Sequence, residues 1–189
     1  MAAIGFKKHN HAACARKAIE FAEAHCRANK LQLTPTRRRV LELLLEEHRP
    51  LGAYDILQRL TEEGRGAQPS IAYRALDFLI AQGFAHKVER LNAFIACTQP
   101  RETHTPAFMI CRGCNCVAEA ASLPARSPLG KAAREAGFRI EQTVIEAAGL
   151  CPNCIAAGGA AACPPANRNF RHKFRQRRFE SLARRQNFP

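Results

Sequence analysis

Several helical patterns, then a hairpin, then a mixed region around two C-x-x-C pairs predict an α+β chain: an N-terminal winged helix-turn-helix with a small C-terminal α/β domain. Apolar residues make up 47% of the 189, enough for real cores. No apolar run reaches the roughly 18 residues of a membrane span. The start, Met1 to His9, lacks the apolar stretch of a secretion signal. The chain therefore reads as soluble and cytoplasmic. Nine cysteines without such a signal suit metal binding in a reducing compartment better than a disulfide framework.

Residues 1–13 read as a flexible arm and 14–98 as the winged-helix part. From Cys14 to Lys30, Ala15, Ala18, Phe21 and Ala22 fall on one helical side. Thr34 and Pro35 suit the N-cap and first position of the next helix, which buries Val40, Leu41, Leu43, Leu44 and Leu45. Arg37, Arg38 and Arg39 lie in its first turns, where the helix dipole disfavours cations. A phosphate partner would relieve that cost; a solvated basic turn is the alternative.

Gly52 breaks the chain, and Ala53, Ile56, Leu57 and Leu60 repeat at helical spacing up to Gly64-Arg65-Gly66. Pro69 opens another helix and Gly83 closes it. Its apolar stripe is Ala72, Ala75, Leu76 and Leu79; the opposite stripe is Ser70, Tyr73, Arg74 and Asp77. Strands over 84–88 and 93–97 follow, joined by a turn at Arg90-Leu91-Asn92. In a winged helix-turn-helix, 69–82 is the recognition helix, with Tyr73 and Arg74 turned to double-stranded DNA. Without DNA the same stripe is a solvated face.

Residues 99–106, with Pro100 and Pro106, read as a linker, and 107–156 as the second domain, with a core of its own. Strands are expected over 107–111, 117–120 and 138–147, with a helix over 127–136. Cys111 and Cys114 form one C-x-x-C, and Cys151 and Cys154 another, with 36 residues between the pairs. Four thiolates make the tetrahedral shell of a structural Zn2+ site. So long an intervening stretch points to a site that pins distant turns together. The alternative is one redox pair in a thiol oxidoreductase, for which the thioredoxin-like βαβ context is missing.

Net charge is +13, a footprint suited to a polyanion. Residues 157–189 read as a basic, disordered tail: from Pro164 onward it carries eight Lys and Arg against Glu180 alone. Such a tail adds sequence-independent DNA affinity or is simply solvated.

The ordered set of motifs resembles the ferric uptake regulator family, in its zinc-sensing branch. The residues are Leu33-Thr34-Pro35-Thr36-Arg37, Ala53-Tyr54-Asp55, Tyr73 to Leu79, Gly83 to Glu89, Thr103-His104-Thr105, Ile110 to Cys114, and Val144-Ile145-Glu146-Ala147 to Cys154. The likeness covers about residues 14–156. It implies a non-enzymatic, homodimeric, zinc-dependent repressor of zinc-uptake genes that binds operator DNA, with a C-terminal dimerisation domain. It implies structural zinc on Cys111, Cys114, Cys151 and Cys154, and regulatory zinc on His86, Cys97, His104 and Glu119. Tyr73 and Arg74 match the recognition-helix pair, and Tyr54 a family position near the DNA; Arg37 joins them as a candidate DNA contact.

The regulatory set also has a physical rationale. Two imidazoles, a thiolate and a carboxylate make a tetrahedral zinc shell, and the thiolate tilts preference away from manganese and iron(II). The iron-sensing branch carries a His-rich run before the first C-x-x-C, where this chain has only Thr103-His104-Thr105-Pro106. That argues against sensing of iron or peroxide. Cys116 and the Arg-rich tail depart from the family pattern, and Cys116 is a candidate competing ligand.

Overall fold

Thr34 does what its position predicts: its hydroxyl accepts from the Arg37 N–H, and Pro35 opens the helix. In the computed structural model, which describes residues 6, 11–46, 49–65, 68–100, 104–122, 127–141 and 143–158, the helical part comprises α1 (His11–Ala28), α2 (Pro35–Leu45), α3 (Ala53–Glu62) and α4 (Pro69–Ala81). Helix α1 begins three residues before Cys14, where the sequence predicts it. Gly83 ends α4 in a left-handed conformation, φ 70°, that glycine adopts without strain. The hairpin β1 (Ala85–Val88) and β2 (Ala93–Ala96) follows, bridged by a 3-10 turn over Glu89–Leu91 and by Asn92 at φ 45°. Leu51 exchanges two main-chain hydrogen bonds with Phe94 and adds a third rung to the wing.

The main core joins these elements. Ala22 and Cys26 of α1 meet Val40, Leu41 and Leu43 to Leu45 of α2, Ile56 and Leu60 of α3, Leu76 and Leu79 of α4, and Phe84 and Phe94 of the wing. This is the arrangement of a winged helix-turn-helix.

The C-terminal sheet has the order β4-β3-β5, from β3 (Thr105–Cys111), β4 (Val117–Ser122) and β5 (Ile145–Gly149). Strand β3 is antiparallel to β4 and parallel to β5. Parallel neighbours need a crossover, and α5 (Pro128–Glu135), capped by Ser127, lies in it. A short helix α6 (Pro152–Ala156) follows Cys151.

Three expectations need correction. Thr105 and Pro106 belong to β3, not to a linker. At Pro106 the strand pairs only with Ala121, because pairing with β5 starts at Ala107, and a proline is tolerated where one neighbour is missing. The strand expected over 138–147 is instead β5 at 145–149. Gly137, at φ 65°, and Phe138 bond back to Arg134 and Ala133, so these residues cap α5. Lastly, the sheet's apolar face is not a core of its own. Phe108, Ile110 and Val117 pack against Val88 and Ile95 of the wing, with Leu91 at the edge. The basic run from Pro164 onward, the linker residues 101–103 and most of the arm lie outside the described residues.

Candidate metal centres

Residues Cys111 to Cys116 form a tight turn at the end of β3. The Cys111 N–H donates to the Cys116 carbonyl, and the Asn115 N–H donates to the Cys111 carbonyl. Asn115 takes the left-handed conformation this turn requires. Strand β5 ends beside it, with Cys111 in register with Gly149. Cys151 and Cys154 at the start of α6 therefore arrive next to Cys111 and Cys114. The four sulfurs lie within 4.8 Å of one another, all buried. Cys114 Sγ and Cys151 Sγ are 3.7 Å apart, close to the ~3.8 Å edge of a tetrahedron with 2.3 Å zinc–sulfur bonds. That is far longer than a disulfide. Burial alone would push the Cys111 thiol up, but main-chain N–H groups of Cys151, Cys114 and Gly113 outweigh it and bring it down to about 6. Cys114 is pushed up, by burial first and by its neighbouring thiols next. Cys116 is buried in the same cluster.

The second group assembles from four places. His86 comes from β1, Cys97 from the residue after β2, His104 from the residue before β3, and Glu119 from β4. Their ligand atoms also lie within 4.8 Å of one another. Cys97 Sγ is 3.7 Å from His104 Nε2 and 3.8 Å from Glu119 Oε1. Glu119 Oε1 is 2.7 Å from His104 Nε2 and 3.2 Å from His86 Nε2.

Glu119 is 1% exposed, the one fully buried charged side chain among the described residues. Its other oxygen, Oε2, accepts from the Thr98 N–H at 2.8 Å and the Thr98 hydroxyl at 2.9 Å, which turns Oε1 toward the other three ligands. Burial alone would raise this carboxyl. The adjacent His86 imidazole, the Thr98 N–H and His104 outweigh burial and hold it at about 2. Cys97 is pushed up to about 12, by burial first and then by the Glu119 charge.

His86 Nε2 is buried and makes no hydrogen bond, because its approach to Glu119 Oε1 is short enough but misdirected. A cation at the centre of the four atoms would satisfy it. Two imidazoles, a thiol and a carboxylate at these spacings fit zinc in both chemistry and size.

The proposed DNA-facing residues divide. Tyr54 is 71% and Tyr73 44% exposed. Arg74 is exposed on the same α4 stripe, with its Nε turned to the Ser70 carbonyl. Arg37 is half-buried: its guanidinium lies 3.8 Å over the Phe78 ring, and Nη1 donates to the Gln32 carbonyl. Arg38 pairs with Glu23 and Glu42, and Arg39 with Glu42, Glu46 and Glu63. Protein carboxylates thus relieve the charge cost at the start of α2. Thr98 and Phe108 are the residues about the second centre that sequence reasoning missed. Phe108 packs 5.9 Å from the His86 ring. Their roles depend on cross-strand register, which leaves no local pattern.

Residues 28–148 match the model of the ferric uptake regulator family. The chain is 41% identical over 137 residues to the zinc uptake regulation protein of Escherichia coli (strain K12), covering 71% of this chain and 79% of that protein. The solved zinc uptake regulator complexed with zinc and DNA superposes with a TM-score of 0.72 at 37% identity, covering 77% of this chain and 98% of that one. The holo form of XcZur superposes with a TM-score of 0.66, also at 37% identity, covering 73% of this chain and 96% of that one. With more than half of its length inside the family pattern, this chain belongs to the ferric uptake regulator family.

Proposed function

We propose that this protein is a zinc-responsive transcriptional repressor that binds operator DNA as a dimer when zinc is bound, and so controls zinc-uptake genes. The convergence of His86, Cys97, His104 and Glu119 from wing, linker end and sheet carries this reading. Relatives named as zinc uptake regulators, one of them solved with zinc and DNA, support it.

The two centres have different tasks. Cys111, Cys114, Cys151 and Cys154 hold the structural ion and join the ends of β3 and β5. His86, Cys97, His104 and Glu119 hold the regulatory ion, which supplies a fixed dication binding four lone pairs at once. Thr98 orients Glu119, and Phe108 supports the His86 ring. The wing, and through the main core α4, then takes one pose relative to the sheet. Tyr73, Arg74 and Tyr54 face the operator in that pose, with Arg37 held at the start of α2 against Phe78, and the equilibrium shifts toward the DNA-competent form.

A homodimer places two such heads at two half-sites. Exposed Leu129, Phe138, Val144 and Ile155, and the edge of β5 that is unpaired among the described residues, support the C-terminal region as the dimer face. Within the described residues no helix is long and apolar enough to cross a membrane. A thiol oxidoreductase is disfavoured because both C-x-x-C pairs share one four-sulfur cluster.

The deciding measurement is operator binding across buffered free zinc, with iron(II) and manganese as controls. Binding that switches on with zinc alone is expected; equal affinity at all zinc levels would overturn the reading.

A further inference from the structure

The wing and the C-terminal sheet meet along a single transverse row. Phe108 of β3 is in register with Glu119 of β4 on one side and with Glu146 of β5 on the other. Residues in register across strands point to the same face. All three side chains reach the wing. Glu119 meets His86, Cys97 and Thr98, and Phe108 meets His86. Glu146 reaches the far end of the hairpin: Oε1 accepts from the Glu89 N–H at 2.6 Å and Oε2 from the Arg90 N–H at 2.9 Å. These two N–H groups open the 3-10 turn of the wing. The Val88–Ile95–Phe108–Ile110–Val117 cluster forms the apolar part of the same joint.

We propose that Glu146 is a positioning residue for the metal response: a second, metal-free pin that sets the pose of the wing. This rests on the zinc-sensing reading above. A single polar attachment point, at the Glu119 centre, leaves the wing able to swivel over the non-directional apolar contact. Glu146 stands two strand spacings away, about 10 Å, and a second point at that distance removes the swivel. Its two bonds are charge-assisted, and they exist only when wing and sheet are docked. The metal shell likewise exists only in that docked pose. Both therefore favour one conformer, and each strengthens the other through it. Losing the pin lowers the population of the docked conformer, and the apparent zinc affinity falls by the same factor. Once zinc saturates, the pose is restored.

The test uses the full-length protein and its near-isosteric variant Glu146→Gln, whose amide cannot accept both N–H groups, with Glu146→Ala as a second variant. Chelator-buffered zinc titration follows the second zinc equivalent without DNA, and amide hydrogen exchange follows Glu89 and Arg90. The expected result is about a tenfold rise in the free zinc for half-occupancy. Faster exchange at the two amides, one retained zinc, and operator affinity within about twofold of wild type at saturating zinc should accompany it. A midpoint unchanged in both variants overturns the proposal and leaves the zinc reading standing. So does operator affinity lowered equally at every zinc level, which marks a purely structural or DNA-contacting role. A wild-type chain that takes up only one zinc overturns both.

Discussion

His104 Nε2 and Glu119 Oε1 stand 2.7 Å apart although 15 residues separate them in the chain, so the end of the linker is bonded to the middle of β4. Oε2 of the same carboxylate is held by Thr98 on the other side. The buried charge is therefore paired from two directions, and Glu119 holds its place by hydrogen bonds of its own.

The two centres should separate by mutation. Cys111→Ser removes a thiolate from the shell that closes the sheet, and the protein should be zinc-depleted and monomeric or aggregated, since such binding is coupled to folding. Cys97→Ser should stay a soluble dimer with about one zinc per chain and lose zinc-responsive DNA binding. Metal analysis, sizing and zinc-titrated gel shifts on both variants decide it. A Cys97→Ser protein that still needs zinc to bind its operator would sink the assignment of the sensing shell.

Arg74 lies on the exposed stripe of α4. If it reads a base, Arg74→Ala should weaken specific operator binding by on the order of 1–3 kcal/mol. Gel-shift affinity equal to wild type on a cognate operator would remove it from the interface.

Gly113 sits inside the first C-x-x-C turn, where an added Cβ would come within 3.0 Å of Cys154 Sγ and 3.3 Å of its Cβ. Gly113→Ala should overpack the four-thiol shell by about 1–3 kcal/mol. Faster loss of zinc to a chelator than from the wild-type protein is expected; an unchanged rate of loss counts against it.

Arg39 grips Glu63 with two nitrogens and also reaches Glu42 and Glu46, which ties α2 to the end of α3. The hydrogen bond from Arg39 is the main cause that holds the Glu63 carboxyl below 4.5. A depressed carboxyl contributes stability above its unfolded value and loses it as pH falls through the folded one. Glu63→Gln should therefore cost on the order of 0.5 kcal/mol at pH 7, as surface pairs do. The gap to wild type should close below pH 4.5. Urea titrations at pH 7 and pH 3 measure both; an equal gap at the two values would rule out the ion pair as its source.

The helical part was legible because its boundaries are local chemistry. Thr34, Pro35, Pro69 and Gly83 mark helix ends in the sequence and in space alike. The burial of α4 followed from spacing: Ala72, Ala75, Leu76 and Leu79 are buried, while Tyr73, Arg74 and Asp77 are exposed. The sheet was less legible. Pro106 hid the start of β3, because whether a proline fits depends on how many neighbours the strand has at that rung. Phe138 and Val144 suggested a strand by their apolarity, yet both are largely exposed. The two groups of candidate metal-binding residues that the structure brings together could be named from spacing and resemblance, but Thr98, Phe108 and Glu146 could not. Their roles follow from which residues share a rung across three strands, and no short window of sequence carries that.

The parallel course of β3 and β5 also governs the order in which ligands emerge during synthesis. Every residue of the His86, Cys97, His104 and Glu119 group has left the ribosome before Cys151, which follows Cys111 by 40 residues. Until Cys151 and β5 emerge, β3 lacks its parallel neighbour, and only Cys111 and Cys114 of the four clustered cysteines are present. Cys111 and Cys114 wait for the last strand, and the pace of translation across the α5 crossover sets how long that open half-site lasts.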